Sequence, residues 1–333
     1  MTATMKAMTA ISYGLPASLQ LAEVDRPAPK AGELLVRVYA SSATTADSMM
    51  LSGKPWFARL FIGLSKPKHP IPGTGFAGVI EAVGEEVTAF KPGQRVFGET
   101  LFGFSANAEY LTVSEKEVVL EMPEGMGYAE AAPFCDGPLT SLNFLQEIGK
   151  IKAGDGVLIN GAAGSLGTAA VQLARLMGAH VTAVCSTRNV GLVESLGADE
   201  VIDYTKKDFT QMNHRFDVIF DTVGKSSFKA AKKVLKEDGQ YLSPVMNMPL
   251  LGQMMWTTVF GKKKAKFAAT GMKSPNELRS LLEQLKTMYA EGKIKSVIDR
   301  QYPLEKLSEA HSYIASGHKR GNVVIITENL AQS

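Results

Sequence analysis

The chain has 333 residues, 45% hydrophobic and 21% charged, a balance that excludes a disordered polymer and predicts a globular protein of about two domains. Thirty-six basic residues against 33 acidic ones leave a net charge of +3, too small a surplus to make nucleic acid the expected partner. Two cysteines, Cys135 and Cys185, exclude a disulfide framework and a four-cysteine zinc site.

From Met1 to Leu15 no basic stretch precedes an apolar run, so no secretory signal is expected and a reducing, cytoplasmic setting is the default expectation. Residues 1–125 then carry short β-like runs: Leu34 to Val38, Gly78 to Val83, Arg95 to Gly98 and Ala108 to Val113. Turn signals such as Ala31-Gly32 and Lys91-Pro92-Gly93-Gln94 separate them, and this texture predicts a small antiparallel barrel.

From 126 to 266 apolar runs suited to buried parallel strands alternate with helical periods. The expected strands are Val157 to Ile159, Val181 to Cys185, Glu200 to Ile202, Val218 to Phe220 and Tyr241-Leu242. Between them Leu166, Ala169, Ala170, Leu173, Leu176 and Met177 keep helical spacing and stop at Gly178, and Leu192 to Leu196 stop at Gly197. Glycine is the favoured residue past a last helical turn. Repeated strand–helix–strand units predict a doubly wound parallel sheet, and so an α/β protein.

One segment tests solubility. Gly239 to Phe260 carries no charge and leads to Lys262-Lys263-Lys264, as a membrane helix with a basic flank would. Pro244, Pro249, Gly252, Asn247 and Gln253 interrupt it, and they would break the helix or bury polar groups in lipid. The expectation is therefore no spanning segment but an apolar flap or patch on the surface. In residues 267–333, Ser274-Pro275-Asn276-Glu277 forms a capping box with Pro at the first helical position. Leu278, Leu281, Leu282, Leu285 and Met288 make the buried stripe of that helix. A second helix from Leu304 to Ser316 leads to a last strand at Val323 to Ile326.

The strongest motif runs from Val157 to Gly167, with glycines at 161, 164 and 167 between a strand and a helix. In that context Gly161 permits the tight turn, Gly164 lets backbone approach a pyrophosphate, and Gly167 lets helix and sheet pack closely. Ser165 and Leu166 open the helix whose free N–H groups and positive end attract phosphate. An NAD site usually carries an acidic residue about 20 residues on. Here Ser186, Thr187 and Arg188 stand after the next strand. They offer donors and charge to a 2′-phosphate with no carboxylate at that place, so NADP(H) is the expected cofactor.

The ordered landmarks Pro72-Gly73 to Gly78, Phe90 to Gly93, Ala108-Glu109-Tyr110, the loop from Gly161, Leu196 to Asp199, Val201 to Tyr204, Asp221 to Gly224 and Gly321 to Val324 resemble the zinc-independent medium-chain dehydrogenases/reductases of the quinone oxidoreductase group. The resemblance spans nearly the whole chain. It implies a GroES-like β-barrel catalytic domain (1–125 with 267–333) and a Rossmann cofactor domain (126–266), with the cofactor between them. Carried over position by position, Tyr204 would lie beside the 2′-phosphate and Thr140 near the nicotinamide. Val223 and Gly224 would form the turn under the adenosine side, and Ser243 would end its strand near the nicotinamide ribose. Phe267 and Ala268 would present backbone to the nicotinamide, and Asn322 would stand at the far edge of that ring. Thr44 falls where the family's loop reaches the cofactor and is the one weak catalytic candidate.

The zinc-dependent branch needs a Cys, a His–Glu pair and a third Cys or Asp. Thr44 replaces the first and Gly73-Thr74-Gly75 lacks the pair, leaving too few of the roughly three protein ligands a catalytic zinc keeps. The five histidines show no ligand spacing. Without a Lewis acid, an isolated carbonyl is a poor substrate, whereas a quinone or an α,β-unsaturated carbonyl spreads the charge over a conjugated system. The expected reaction is NADPH-dependent reduction of such an acceptor; an alcohol dehydrogenase or enoyl reductase, or a non-catalytic NADPH-binding protein, are the alternatives. Two apolar stretches, Trp56 to Ile62 and Met246 to Phe260, would wall a pocket for an apolar carbonyl or quinone or make a subunit contact. An apolar strand towards the sheet edge at Tyr241-Leu242 predicts a homodimer whose contact includes part of 241–260.

Overall fold

The structure is a computed structural model and describes residues 3–54, 56 and 59–327, with the backbone alone at Phe61. It divides into two compact units: 1–136 with 274–290 and 296–333, and 137–273 with 291–295. The join therefore lies at Asp136 and Gly137, beyond the boundary of 125 expected from sequence. The reason is packing: the short helical turns Tyr128–Ala131 and Ala132–Cys135 lie on the strands of the first unit. Likewise Pro275–Ala290 belongs to that unit, where Arg279 donates to the Glu115 carbonyl at 2.9 Å and Tyr289 to Glu130 at 3.0 Å.

The first unit opens with strands β1 (Thr4–Thr9), β2 (Gln20–Asp25), β3 (Glu33–Ala43), β4 (Gly75–Val83), β5 (Arg95–Glu99), β6 (Tyr110–Ser114) and β7 (Val118–Glu121). The second contains β8 (Gly156–Asn160), β9 (His180–Cys185), β10 (Glu200–Asp203), β11 (Phe216–Asp221), β12 (Leu235–Ser243) and β13 (Lys264–Phe267). The chain then returns to the first unit with β14 (Ile298–Pro303) and β15 (Asn322–Ile326).

In the first unit β14-β15-β3-β4-β5-β7 form one sheet, with β6 also on β3, and β1 pairs β2 apart. All these pairings are antiparallel except β14 with β15. Strand β14 was not foreseen: Ile298-Asp299-Arg300-Gln301 lacks an apolar alternation and is at most half-buried. Leu34, Val36, Val38, Phe76, Ile80, Val96 and Leu111 fill the core between strands. Burying each such side chain is worth about 1.5–3 kcal/mol, less the ordering cost.

The second unit is a six-stranded parallel sheet in the order β10-β9-β8-β11-β12-β13. The predicted helices form as Ser165–Leu176 and Val190–Ser195, each followed by a glycine in the left-handed region, Gly178 and Gly197. Two expectations change here. Tyr241-Leu242 does not lie on the edge strand, because β13 pairs outside it. Residues 248–259 form a helix in spite of Pro249 and Gly252. Pro249 falls in the first turn, where its missing N–H costs nothing, and Asn247 accepts from the Leu250 N–H at 2.8 Å. No described helix is long and apolar enough to cross a membrane.

Candidate functional site

A parallel sheet ends all its strands on one side, and that is where ligands gather in such folds, at the point where strand order reverses. The reversal falls between β8 and β11. Gly161 follows β8 with φ +79°. A Cβ there would stand 2.2 Å from Val223 Cγ2 and 2.7 Å from Thr222 Oγ1. The two loops after β8 and β11 thus touch through the space a side chain would need. Gly167 is equally constrained: its Cβ would meet the Gly161 carbonyl oxygen at 2.2 Å and Ala162 backbone at 2.6 Å. Gly164 differs, since a Cβ would meet only the Gly161 oxygen, at 3.5 Å, an ordinary contact. No contact within the protein requires glycine at 164, so the backbone there lies open beside the helix start. That is the signature of a backbone cradle at the start of a twelve-residue helix.

The loop after β11 is held from inside. Asp221, fully buried, accepts from Asn160 Nδ2 at 2.9 Å, the N–H groups of Val223, Gly224 and Ser226 at 3.0–3.2 Å, and Tyr241 Oη at 2.7 Å. This carboxylate fixes the turn at Val223 and Gly224, and the burial of Tyr241, with the charge of Asp221 beside it, pushes the Tyr241 hydroxyl well above its usual range. From outside, helix Gly137–Leu142 approaches because Gly137 has no side chain: a Cβ would stand 2.6 Å from Ser165 Oγ. Ser141 Oγ completes the join to the Leu166 carbonyl at 2.8 Å. Thr140 sits half-buried on that helix. From sequence Asp221 stands out only as the first residue of the landmark Asp221 to Gly224, with no role of its own, and Gly137 does not stand out, although it lies close to Thr140.

Ser186, Thr187 and Arg188 follow β9, and Tyr204 follows β10, 61% exposed. Ser243 ends β12, its Oγ accepting from the Val245 N–H at 3.2 Å; Phe267 ends β13 and Ala268 follows it. The structure thus brings the glycine loop, 186–188, 204, 223–224, 243 and 267–268 to the same end of one sheet. One correction follows. A carboxylate does stand at this place: Asp203, aligned with Cys185 across the parallel pair. It accepts from Thr187 Oγ1 at 2.5 Å and Thr205 Oγ1 at 2.7 Å and lies 3.5 Å from Lys206 Nζ. The hydroxyls of Thr187 and Thr205 hold its carboxyl down at about 2. Counting residues along β9 missed it because it arrives from the neighbouring strand.

In the first unit Thr44 caps helix Thr45–Ser52. Its Oγ1 accepts from the Asp47 N–H at 2.9 Å and donates to Asp47 Oδ2 at 2.7 Å, and the Asp47 carboxylate accepts from the Thr44 N–H. Thr44 is therefore committed to capping. Asp47 Oδ1 has no partner among the described residues, and Asp47 lines, with Tyr13, Met50, His69 and Phe104, a narrow cavity of about 30 Å³, the room of a water molecule or two. Burial, reinforced by Asp136 and opposed by Thr44, pushes Asp47 up to about 7. Glu99 rises to about 8 by burial and the charges of Asp136 and Asp47, against a hydrogen bond with Thr74. Burial lowers the Lys319 ammonium from its ordinary value, with Asp136, Asp299 and Asp47 opposing. Asn322 is buried and donates through Nδ2 to the Val297 carbonyl at 3.0 Å. His311 is buried as well, bonded through Nδ1 to Ser48 Oγ at 2.8 Å.

These donors do not fit zinc. Thr44 is occupied, Gly73-Thr74-Gly75 offers no imidazole or carboxylate, and burial pushes the Cys135 thiol far from the thiolate a metal needs. Among the described residues no three His, Cys, Asp or Glu side chains come together as a metal set. Of the two apolar stretches, Phe57 and Ala58 lie outside the described residues, and Met255 and Trp256 point outward.

Residues 30–128 match the alcohol dehydrogenase GroES-like domain and residues 196–325 match the family described as zinc-binding dehydrogenase. The chain is 32% identical to quinone-oxidoreductase QR1, chloroplastic, of Triphysaria versicolor, covering 96% of this chain and 98% of the relative. It is 30% identical to the chloroplastic NADPH-dependent alkenal/one oxidoreductase of Arabidopsis thaliana, covering 96% and 79%. The solved quinone oxidoreductase from Coxiella burnetii has a TM-score of 0.87 to this chain at 26% identity, covering 98% and 100%. With the reversal of strand order, the glycine cradle and a likeness that runs the length of the chain, this protein belongs to the medium-chain dehydrogenases/reductases, in their quinone oxidoreductase group.

Proposed function

We propose that the chain is an NADPH-dependent reductase that transfers hydride to a quinone or an α,β-unsaturated carbonyl without zinc. The observation that supports the reading is the open backbone at Gly164, a glycine the fold itself does not require, at the strand-order reversal of the parallel sheet. The N–H groups at the start of helix Ser165–Leu176 bind the pyrophosphate. Ser186 and Arg188 hold the 2′-phosphate beside Tyr204, while Thr187 holds Asp203 and Lys206 offsets that carboxylate. Val223 and Gly224 seat the adenosine side, and Thr140, Ser243, Phe267 and Ala268 the nicotinamide side. When bound, the nicotinamide supplies the hydride.

The residues of this chain supply charge control. Burial pushes the Asp47 carboxyl up to about 7, and its Oδ1 has no partner among the described residues, so the first unit contains a carboxyl that can hold a proton and donate a hydrogen bond, as an enolate oxygen requires. Such a donor suffices for a delocalised enolate and not for a localised alkoxide. The test is a panel of a quinone, an alkenal and a simple aldehyde with NADPH, before and after chelation. Turnover of the conjugated acceptors that survives chelation is expected; turnover of the aldehyde alone, or activity restored by zinc, refutes the reading. A homodimer is part of the proposal, and a sedimentation profile of a single monomer refutes it.

A further inference from the structure

The helix Met248–Val259 carries no charged residue, and only part of it is used by the fold. Leu250 and Thr257 are buried, and Met254 packs on the core of the second unit. Its other side is exposed among the described residues: Met248 is 79% exposed, Met255 69%, Trp256 65% and Val259 73%. Phe260 continues the stripe, its ring 4.6 Å from that of Trp256. Soluble surfaces rarely leave so many large apolar side chains together unless something covers them.

The charge around the stripe says what the cover is. Lys262, Lys263 and Lys264 come two residues after the helix, Lys264 Nζ donating to the Thr257 carbonyl. Lys263 Nζ donates to the carbonyls of Lys232 and Leu235, at 2.8 and 2.7 Å, which brings the lysines around 232 to the same end. Lys229 and Lys232 are exposed and make no ion pair among the described residues, whereas Lys262 is paired with Glu237. A second copy laid on this face by a two-fold axis would bring like charges towards one another. An anionic lipid surface takes the lysines at its headgroups and the apolar stripe just below them, with Trp256 at the level such rings prefer. We propose that this helix docks the protein on an anionic membrane surface without crossing it. The inference does not rest on the reductase reading.

The experiment is flotation of the full chain with vesicles of phosphatidylcholine alone and with phosphatidylglycerol added, at low and high salt. The protein is expected to float with the anionic vesicles, at least about tenfold more than with the neutral ones, and less in high salt. Met255→Glu with Trp256→Glu should abolish flotation, and Lys229→Glu with Lys232→Glu should reduce it about tenfold. Both pairs lie on the surface, and an unchanged melting temperature shows that each variant folds. Equal flotation with both vesicle types overturns the proposal, as does no flotation of the parent. If the parent does not float and the Met255→Glu, Trp256→Glu variant converts a dimer to monomer, the cover is a second copy.

Discussion

The end of the parallel sheet and the pocket behind Thr44 are built by opposite means. At the sheet end the structure offers backbone: missing side chains at 161, 164 and 167 and free N–H groups at a helix start. The first unit offers carboxyls, Asp47 and Glu99, which burial, with the charge of Asp136 beside them, pushes up to about 7 and about 8. Backbone sites are fixed by sterics and change little with pH. Carboxyl clusters are fixed by burial and charge and should follow pH closely.

The largest expected effect separates two glycines of the same loop. Gly167→Ala forces a Cβ into backbone at 2.2 Å, so it should destabilise the protein by about 1–3 kcal/mol or more and also remove NADPH binding. Gly164→Ala should leave the melting temperature unchanged while weakening NADPH at least about tenfold, or about 1.4 kcal/mol, by titration of cofactor fluorescence. If both variants behave alike, the distinction between a fold glycine and a ligand glycine fails.

Glu99→Gln addresses the other region. A carboxyl raised from 4.5 to about 8 favours the folded state most below its unfolded value. That contribution is lost as pH climbs through the window between the two values. The variant should therefore melt several degrees above the parent near pH 9 and gain little near pH 5. A parent whose melting temperature does not fall relative to the variant across that window would refute the burial argument.

Smaller effects test the 2′-phosphate end. Arg188→Ala should narrow the preference for NADPH over NADH chiefly by weakening NADPH, by about tenfold. Asp203→Asn removes a carboxylate beside Thr187 and should strengthen NADPH severalfold with little change in NADH. Isothermal titration with both cofactors reads each. An Asp203→Asn protein that binds NADPH more weakly would mean that the carboxylate works by orienting Thr187 and not by repelling phosphate.

Much of this was legible in the linear sequence because it depends on local rules. The glycine loop, the helix stops at Gly178 and Gly197, and the Ser274 to Glu277 capping box follow from backbone freedom and capping within a few residues. Hydrophobic period separated the antiparallel part from the parallel one. The tertiary structure alone decided what depends on distant residues meeting. Strand pairing carried Asp203 to Thr187. The missing side chain of Gly137 let its helix reach Ser165. Burial converted Asp47 and Glu99, ordinary acids in the sequence, into proton holders. Solvent exposure, which no local pattern encodes for an uncharged helix, turned Met255 and Trp256 outward. Sterics and period act between near neighbours; desolvation, charge and register are set only when remote segments are brought together.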